Sequence, residues 1–132
     1  MNAPTQSGYY YGAGGFYDDW RKRISDACGI RIWDPRSNNQ DAIFHFIRGD
    51  FATISHPDCR GVIALIPPPP ARCSGTAAEI GYAAAIGRRV LLITEDPVPD
   101  GFLLGCAKRV FFGVDAFIAW FNERQAKGLP LL

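Results

Sequence analysis

The fold is decided by Val62-Ile63-Ala64-Leu65-Ile66 together with Ser74-Gly75-Thr76-Ala77-Ala78-Glu79-Ile80-Gly81-Tyr82-Ala83. The first five residues are a continuous apolar run, the pattern of a parallel strand buried on both faces. The four prolines 67–70 stop it, and an alanine-rich segment then runs to Gly87, a helix stop signal. Strand followed by helix places Glu79 in a first helical turn at the carboxyl edge of a sheet, where open α/β folds bind ligands. Two readings of this glutamate compete. Thr76-Ala77-Ala78-Glu79 fits the S/T-x-x-E capping box, in which the carboxylate only satisfies a backbone N–H. The alternative is a carboxylate offered to a ligand.

Working outward, strand and helix patterns alternate. Residues 8–12, 30–33, 61–66, 89–93 and 109–112 read as strands, and 16–28, 40–55, 76–86 and 114–125 as helices. Phe16, Trp20, Ile24 and Ala27 form the apolar stripe of the first helix, which Gly29 closes. Ile43, Phe46 and Ile47 are the expected buried face of the second, and Phe117, Ile118 and Phe121 that of the last. Five strands interleaved with helices predict an α/β fold: a single three-layer, flavodoxin-like domain over residues 1–132, with residues 1–7 flexible. The expected strand order is 2-1-3-4-5, with the ligand crevice between the carboxyl ends of the first and third strands.

Composition bounds the partners. The 132 residues, 48% hydrophobic and 20% charged with a net charge of +1, describe an ordinary globular domain. Near-neutral charge gives no electrostatic basis for binding nucleic acid or a membrane surface. No secretion signal or spanning segment is visible, and Cys28, Cys59, Cys73 and Cys106 are widely spaced without a C-x-x-C pair, so a reducing cytoplasm is expected. His45 and His56 lack metal-ligand spacing. No metal and no cofactor is predicted. Arg21-Lys22-Arg23 reads as the solvated face of a helix.

Other short motifs carry less. Gly12-Ala13-Gly14-Gly15 begins a dinucleotide fingerprint but has Tyr17 where the third glycine belongs, and no G-x-x-x-x-G-K-[ST] phosphate loop exists. Small residues here suit close approach of a ligand to the backbone. The prolines 67–70 read as a stiff wall between strand and helix, and Arg48-Gly49-Asp50 as a chance match to a cell-adhesion tripeptide. Asp50 near a helix end opposes the macrodipole, and a residue placed against local preference hints at function.

Three segments in order carry a resemblance. Tyr10-Tyr11-Gly12-Ala13-Gly14-Gly15-Phe16-Tyr17-Asp18 is similar to the amino-terminal Y-F-G-A-G-x-F-x-D motif of the nucleoside 2-deoxyribosyltransferases. Asp50, Ile54 and Asp58 match that family's D-x-x-x-I-x-x-x-D segment, and Gly75, Glu79, Gly81, Tyr82 and Ala83 its G-x-x-x-E-x-G-Y-A signature. The resemblance implies Glu79 as the nucleophile attacking C1′ of the sugar, Tyr10 as the residue orienting it, and Asp50 as the acid that protonates the departing base. It further implies that Gly12, Gly14, Phe16, Asp18, Gly75 and Phe102 line the substrate. These roles suit the chemistry, since breaking an N-glycosidic bond builds positive charge at C1′ and leaves a base needing a proton. Glu79 is expected to be ionised and Asp50 protonated.

Two positions depart from the family pattern. Cys73 stands where the family places a sugar-binding aspartate, and Asp100 stands where it borrows a polar residue from a neighbouring subunit. Loss of a carboxylate at 73 and its gain at 100 would exchange the sugar contacts. An anionic Asp100 would repel a 5′-phosphate by about 4 kcal/mol at close range, favouring nucleosides, whereas Arg72 and Ser74 favour nucleotides. The implied activity is transfer of deoxyribose between nucleobases, with nucleosides and free bases as small-molecule partners and homo-oligomers sharing their active sites. Hydrolysis of a nucleoside or nucleoside 5′-monophosphate is the alternative. A non-catalytic nucleotide-binding domain is the third.

Overall fold

Alternation along the apolar run puts Val62, Ala64 and Ile66 on one face and Ile63 and Leu65 on the other, and all five are buried. Each of the four larger side chains, Val62, Ile63, Leu65 and Ile66, contributes about 1.5–3 kcal/mol on burial. The computed structural model describes residues 8–15, 19–38, 43–69 and 74–130, with residues 43–46 described by their backbone only. The run lies in β3 (Cys59–Ile66), the centre of a five-stranded sheet whose other strands are β1 (Tyr9–Ala13), β2 (Ile32–Trp33), β4 (Val90–Thr94) and β5 (Arg109–Phe112). The order is β2-β1-β3-β4-β5 and every pairing is parallel, as expected from the alternating pattern.

Helices cover both faces. Ile54 of α2 (Ile43–Ser55), Ile80 and Ala83 of α3 (Ser74–Ala85) and Leu103 of α4 (Gly101–Cys106) pack with Tyr9, Tyr11, Val62, Ala64 and Leu92. On the other face Trp20 and Ile24 of α1 (Trp20–Cys28) and Phe117 and Phe121 of α5 (Val114–Ala126) pack with Tyr10, Ile63, Leu65 and Ile93. The chain leaves β1 for β2 on one side and takes up β3 on the other, so the carboxyl ends of β1 and β3 form the topological switch point.

Several expectations need correction. The first helix begins at Trp20, with Asp19 at the N-cap position but making no side-chain capping hydrogen bond; Cys28 rather than Ala27 completes its buried stripe. Gly29 does close it, in the left-handed conformation at φ 66° that favours glycine. Ile47 is exposed. Arg21 is not solvated but 7% exposed. The short helix α4 was not anticipated, nor the single 3-10 turn Pro35–Ser37, which Asp34 caps by accepting from the Arg36 N–H at 2.9 Å.

Candidate active site

Three consecutive tyrosines in one strand must point alternately to opposite faces. Tyr9 and Tyr11 therefore face α2 and α3, and Tyr10 faces α5, where its ring meets Phe121 edge-on at 6.3 Å. The phenol of Tyr11, 0% exposed, donates to Oε2 of Glu79 at 2.5 Å. Tyr10 was expected to make this contact. It cannot, because it lies across the sheet, and Tyr11 takes the position instead.

Glu79 sits on α3, which begins at Ser74, so it is the sixth residue of the helix rather than part of its first turn. Thr76 lies inside the helix and buried, and the capping-box reading fails on that geometry. Asp50, 6% exposed, projects from α2 to within hydrogen-bond reach of both Glu79 and Tyr11. Its Oδ1 accepts from Nδ2 of Asn38 at 2.8 Å. The rings of Phe51 and Tyr82 stack flat between the two helices, centroids 4.2 Å apart. Tyr9 ties α2 to the sheet from below, its phenol donating to the Thr53 carbonyl at 2.7 Å.

Burial dominates the electrostatics. It pushes the Glu79 carboxyl up to about 8, with the Tyr11 hydrogen bond opposing that shift and the adjoining Asp50 carboxyl adding to it. Two buried carboxyl groups in contact share a proton more readily than they both ionise. Glu79 lies beyond the first turn of α3, so the helix amino terminus gives its charge little support, and burial acts against the ionised form. Burial and the neighbouring Glu79 likewise hold the Tyr11 phenol above its ordinary value, so it remains a donor.

The glycine loop is held from inside. Arg21 donates from Nε to the Gly12 carbonyl at 2.9 Å, from Nη2 to Gly14 at 2.7 Å and from Nη1 to Gly15 at 3.0 Å. A Cβ on Gly12 would meet Ile32 at 2.7 Å and Arg21 at 2.9 Å. At Gly14 a Cβ would meet Trp20 at 2.9 Å, on a backbone with φ 153°. The chain's own side chains pack against Gly12 and Gly14 and leave little room for a Cβ at either position. The positive charge of Arg21 also favours the ionised form of Glu79. Nothing in the string Arg21-Lys22-Arg23 distinguishes its first member; the helical spacing from Trp20 and Ile24 could have placed it nearer the sheet.

No protein-family model matches the sequence, and no curated protein matches it. Solved structures do. The 2-deoxyribosyltransferase of the psychrotolerant bacterium Bacillus psychrosaccharolyticus superposes with a TM-score of 0.70 at 15% identity, over 84% of this chain and 90% of that one. The CMP N-glycosidase of Clostridium botulinum superposes with a TM-score of 0.58 at 16% identity, over 86% and 98%. The fold is that of the nucleoside deoxyribosyltransferases.

In this deoxyribosyltransferase fold the remaining predicted residues are scattered. Gly75 opens α3 with free space where a Cβ would stand. Asp100 is exposed and caps α4, its Oδ1 accepting from the Phe102 N–H at 2.7 Å. Phe102 is 89% exposed. Neither has a described contact with Glu79 or Asp50. Phe16, Asp18 and Cys73 lie outside the described residues. A cleft of about 380 Å³ lined by Gly8, Arg60, Arg88 and Arg89 opens at the opposite, amino-terminal edge of the strands, away from the carboxyl pair. Among the described residues no cluster is built to hold a metal ion, and no helix is long and apolar enough to cross a membrane.

Proposed function

We propose that this protein transfers a 2-deoxyribosyl group between nucleobases by double displacement through a covalent glycosyl-Glu79 intermediate. The observation that carries the reading is the contact of Tyr11, Glu79 and Asp50 at the carboxyl ends of β1 and β3. A Glu79 oxygen bonds to C1′ as the C1′–N bond breaks, its electron pair leaving with the base, which takes a proton from Asp50. An incoming base then gives a proton to Asp50 and attacks C1′, releasing the Glu79 carboxylate. The shared proton supports this division. When Asp50 turns its proton to the base, Glu79 is left anionic beside the Tyr11 phenol and the charge of Arg21, where an oxocarbenium-like centre is stabilised.

Gly12, Gly14, Phe16, Asp18, Cys73 and Gly75 are assigned to the walls of the substrate cleft in this reading. Asp100 and Phe102 are assigned to the site of a neighbouring copy. The exposure of Phe102 and Val98, at 89% and 81%, supports a homo-oligomer that completes each site in trans. Nucleosides and free bases are the proposed partners and the cytoplasm the proposed location.

Likeness to the Clostridium botulinum N-glycosidase supports a second reading, hydrolysis by the same residues. A chromatographic assay with thymidine or deoxyinosine as donor and several free bases as acceptors separates the two. Exchanged nucleoside indicates transfer, free base alone indicates hydrolysis, and binding without turnover indicates a ligand-binding domain. A 2-fluoro deoxynucleoside should leave an adduct on Glu79 detectable by mass spectrometry. An active Glu79→Ala variant would end both enzymatic readings.

A further inference from the structure

We infer that Asn38 is a positioning residue that dictates which oxygen of Asp50 carries the proton delivered to the departing base. The inference rests on the reading of Asp50 as the acid. Asn38 lies between Trp33 and Asp50. The indole Nε1 of Trp33 points at Oδ1 of Asn38 at 3.2 Å, and an indole N–H only donates. This fixes the amide, so its nitrogen faces Asp50 and donates to Oδ1 at 2.8 Å. An oxygen that accepts a strong amide hydrogen bond is the carbonyl-like one of a protonated carboxyl. The proton is thereby left on Oδ2. Among the described residues, Tyr11 from β1 and Glu79 from α3 are titratable groups that face Asp50.

Asn38 packs over the Cα of Gly49 on α2, where an added Cβ would make ordinary van der Waals contact with the Asn38 Cβ at 3.4 Å. Asn38 touches no reacting atom in this scheme. It acts through Asp50, by setting the plane of the carboxyl and by keeping the proton off the oxygen turned toward the loop.

The test compares leaving groups. A neutral base must be protonated as it departs, whereas a cationic or strongly electron-poor base departs unaided. For purines the pair is deoxyinosine and 7-methyldeoxyguanosine; for pyrimidines it is thymidine and 5-nitrodeoxyuridine. Asn38→Ala should lower kcat by about tenfold or more on the demanding donor of the pair and by less than about twofold on the activated one, with KM little changed. Trp33→Phe should show the same selectivity at smaller size, because the Asn38 Oδ1 then keeps only the long contact with Thr53 Oγ1 at 3.4 Å, and it serves if Asn38→Ala folds poorly. Equal losses on both donors would overturn the inference. Asp50→Asn measured alongside keeps the two failures apart. If Asp50→Asn shows no leaving-group dependence, the acid role itself falls; if it does and the Asn38 and Trp33 variants do not, only the role of Asn38 falls.

Discussion

Phe51 and Tyr82 lie ring on ring, 1° from parallel, and each sits beside one member of the carboxyl pair. Phe51 follows Asp50 on α2, and Tyr82 is one turn beyond Glu79 on α3. The stack therefore sets the spacing of the two helices, and with it the contact of the two acids. Phe51→Ala should cost about 3 kcal/mol in denaturant unfolding. It should also reduce kcat, whereas Tyr82→Phe should leave both stability and kcat close to wild type.

Tyr11 and Tyr10 offer a sharper contrast. Tyr11→Phe removes the donor to Glu79 and should lower kcat by roughly 10- to 100-fold, the equivalent of a hydrogen bond to a charged group. Tyr10→Phe should change neither kcat nor KM, since its ring lies across the sheet against Phe121. Steady-state kinetics on the two variants checks the assignment directly. A fully active Tyr11→Phe would remove Tyr11 from the machinery.

The shared proton predicts a pH dependence. The reactive form of the pair holds one proton, and burial raises the Glu79 carboxyl to about 8, so kcat/KM should fall as pH rises past about 8. Stability should follow the same group. The folded chain retains a proton that the unfolded chain has lost, so stability declines as pH rises from the ordinary value of 4.5 to about 8. Glu79→Gln has no proton to lose there. Its melting temperature should exceed that of the wild type by a margin that grows across this interval, measurable by thermal melts in a buffer series.

Arg21 anchors three carbonyls, and its loss leaves them without that donor. Arg21→Met should cost about 3 kcal/mol or more, at about 1 kcal/mol or more for each hydrogen bond lost. Arg21→Lys should recover only part, because an ammonium lacks the planar fork that reaches three acceptors at once. Chemical denaturation of the two variants measures the difference.

The sheet was legible because Val62 to Ile66 is too short and too apolar for anything but a buried strand, and because Gly29 and Gly87 end the helices on either side. The order of strands followed from connectivity. The face of each tyrosine was not legible: Tyr9, Tyr10 and Tyr11 are chemically alike, so the string carries no alternation from which to read its phase. The capping box misled for a related reason. Ser74 and Thr76 are both capping-type residues, and the helix extends to the earlier one. Helix α4 spans only six residues, too few for a period of 3.6 to declare itself. Asn38 was silent because a loop amide has no pattern; its partner Trp33 is five positions away and Asp50 is twelve.

Of three neighbouring basic side chains on one helix, Lys22 and Arg23 pair with Asp26 and Asp115 at the surface, where exchange of one cation for another is cheap. Arg21 is bound instead to the peptide chain itself. Its partners cannot be altered by substitution, so no compensating change elsewhere can rescue its replacement. In descendants of this sequence, drift should therefore be tolerated at two of these sites and forbidden at the third.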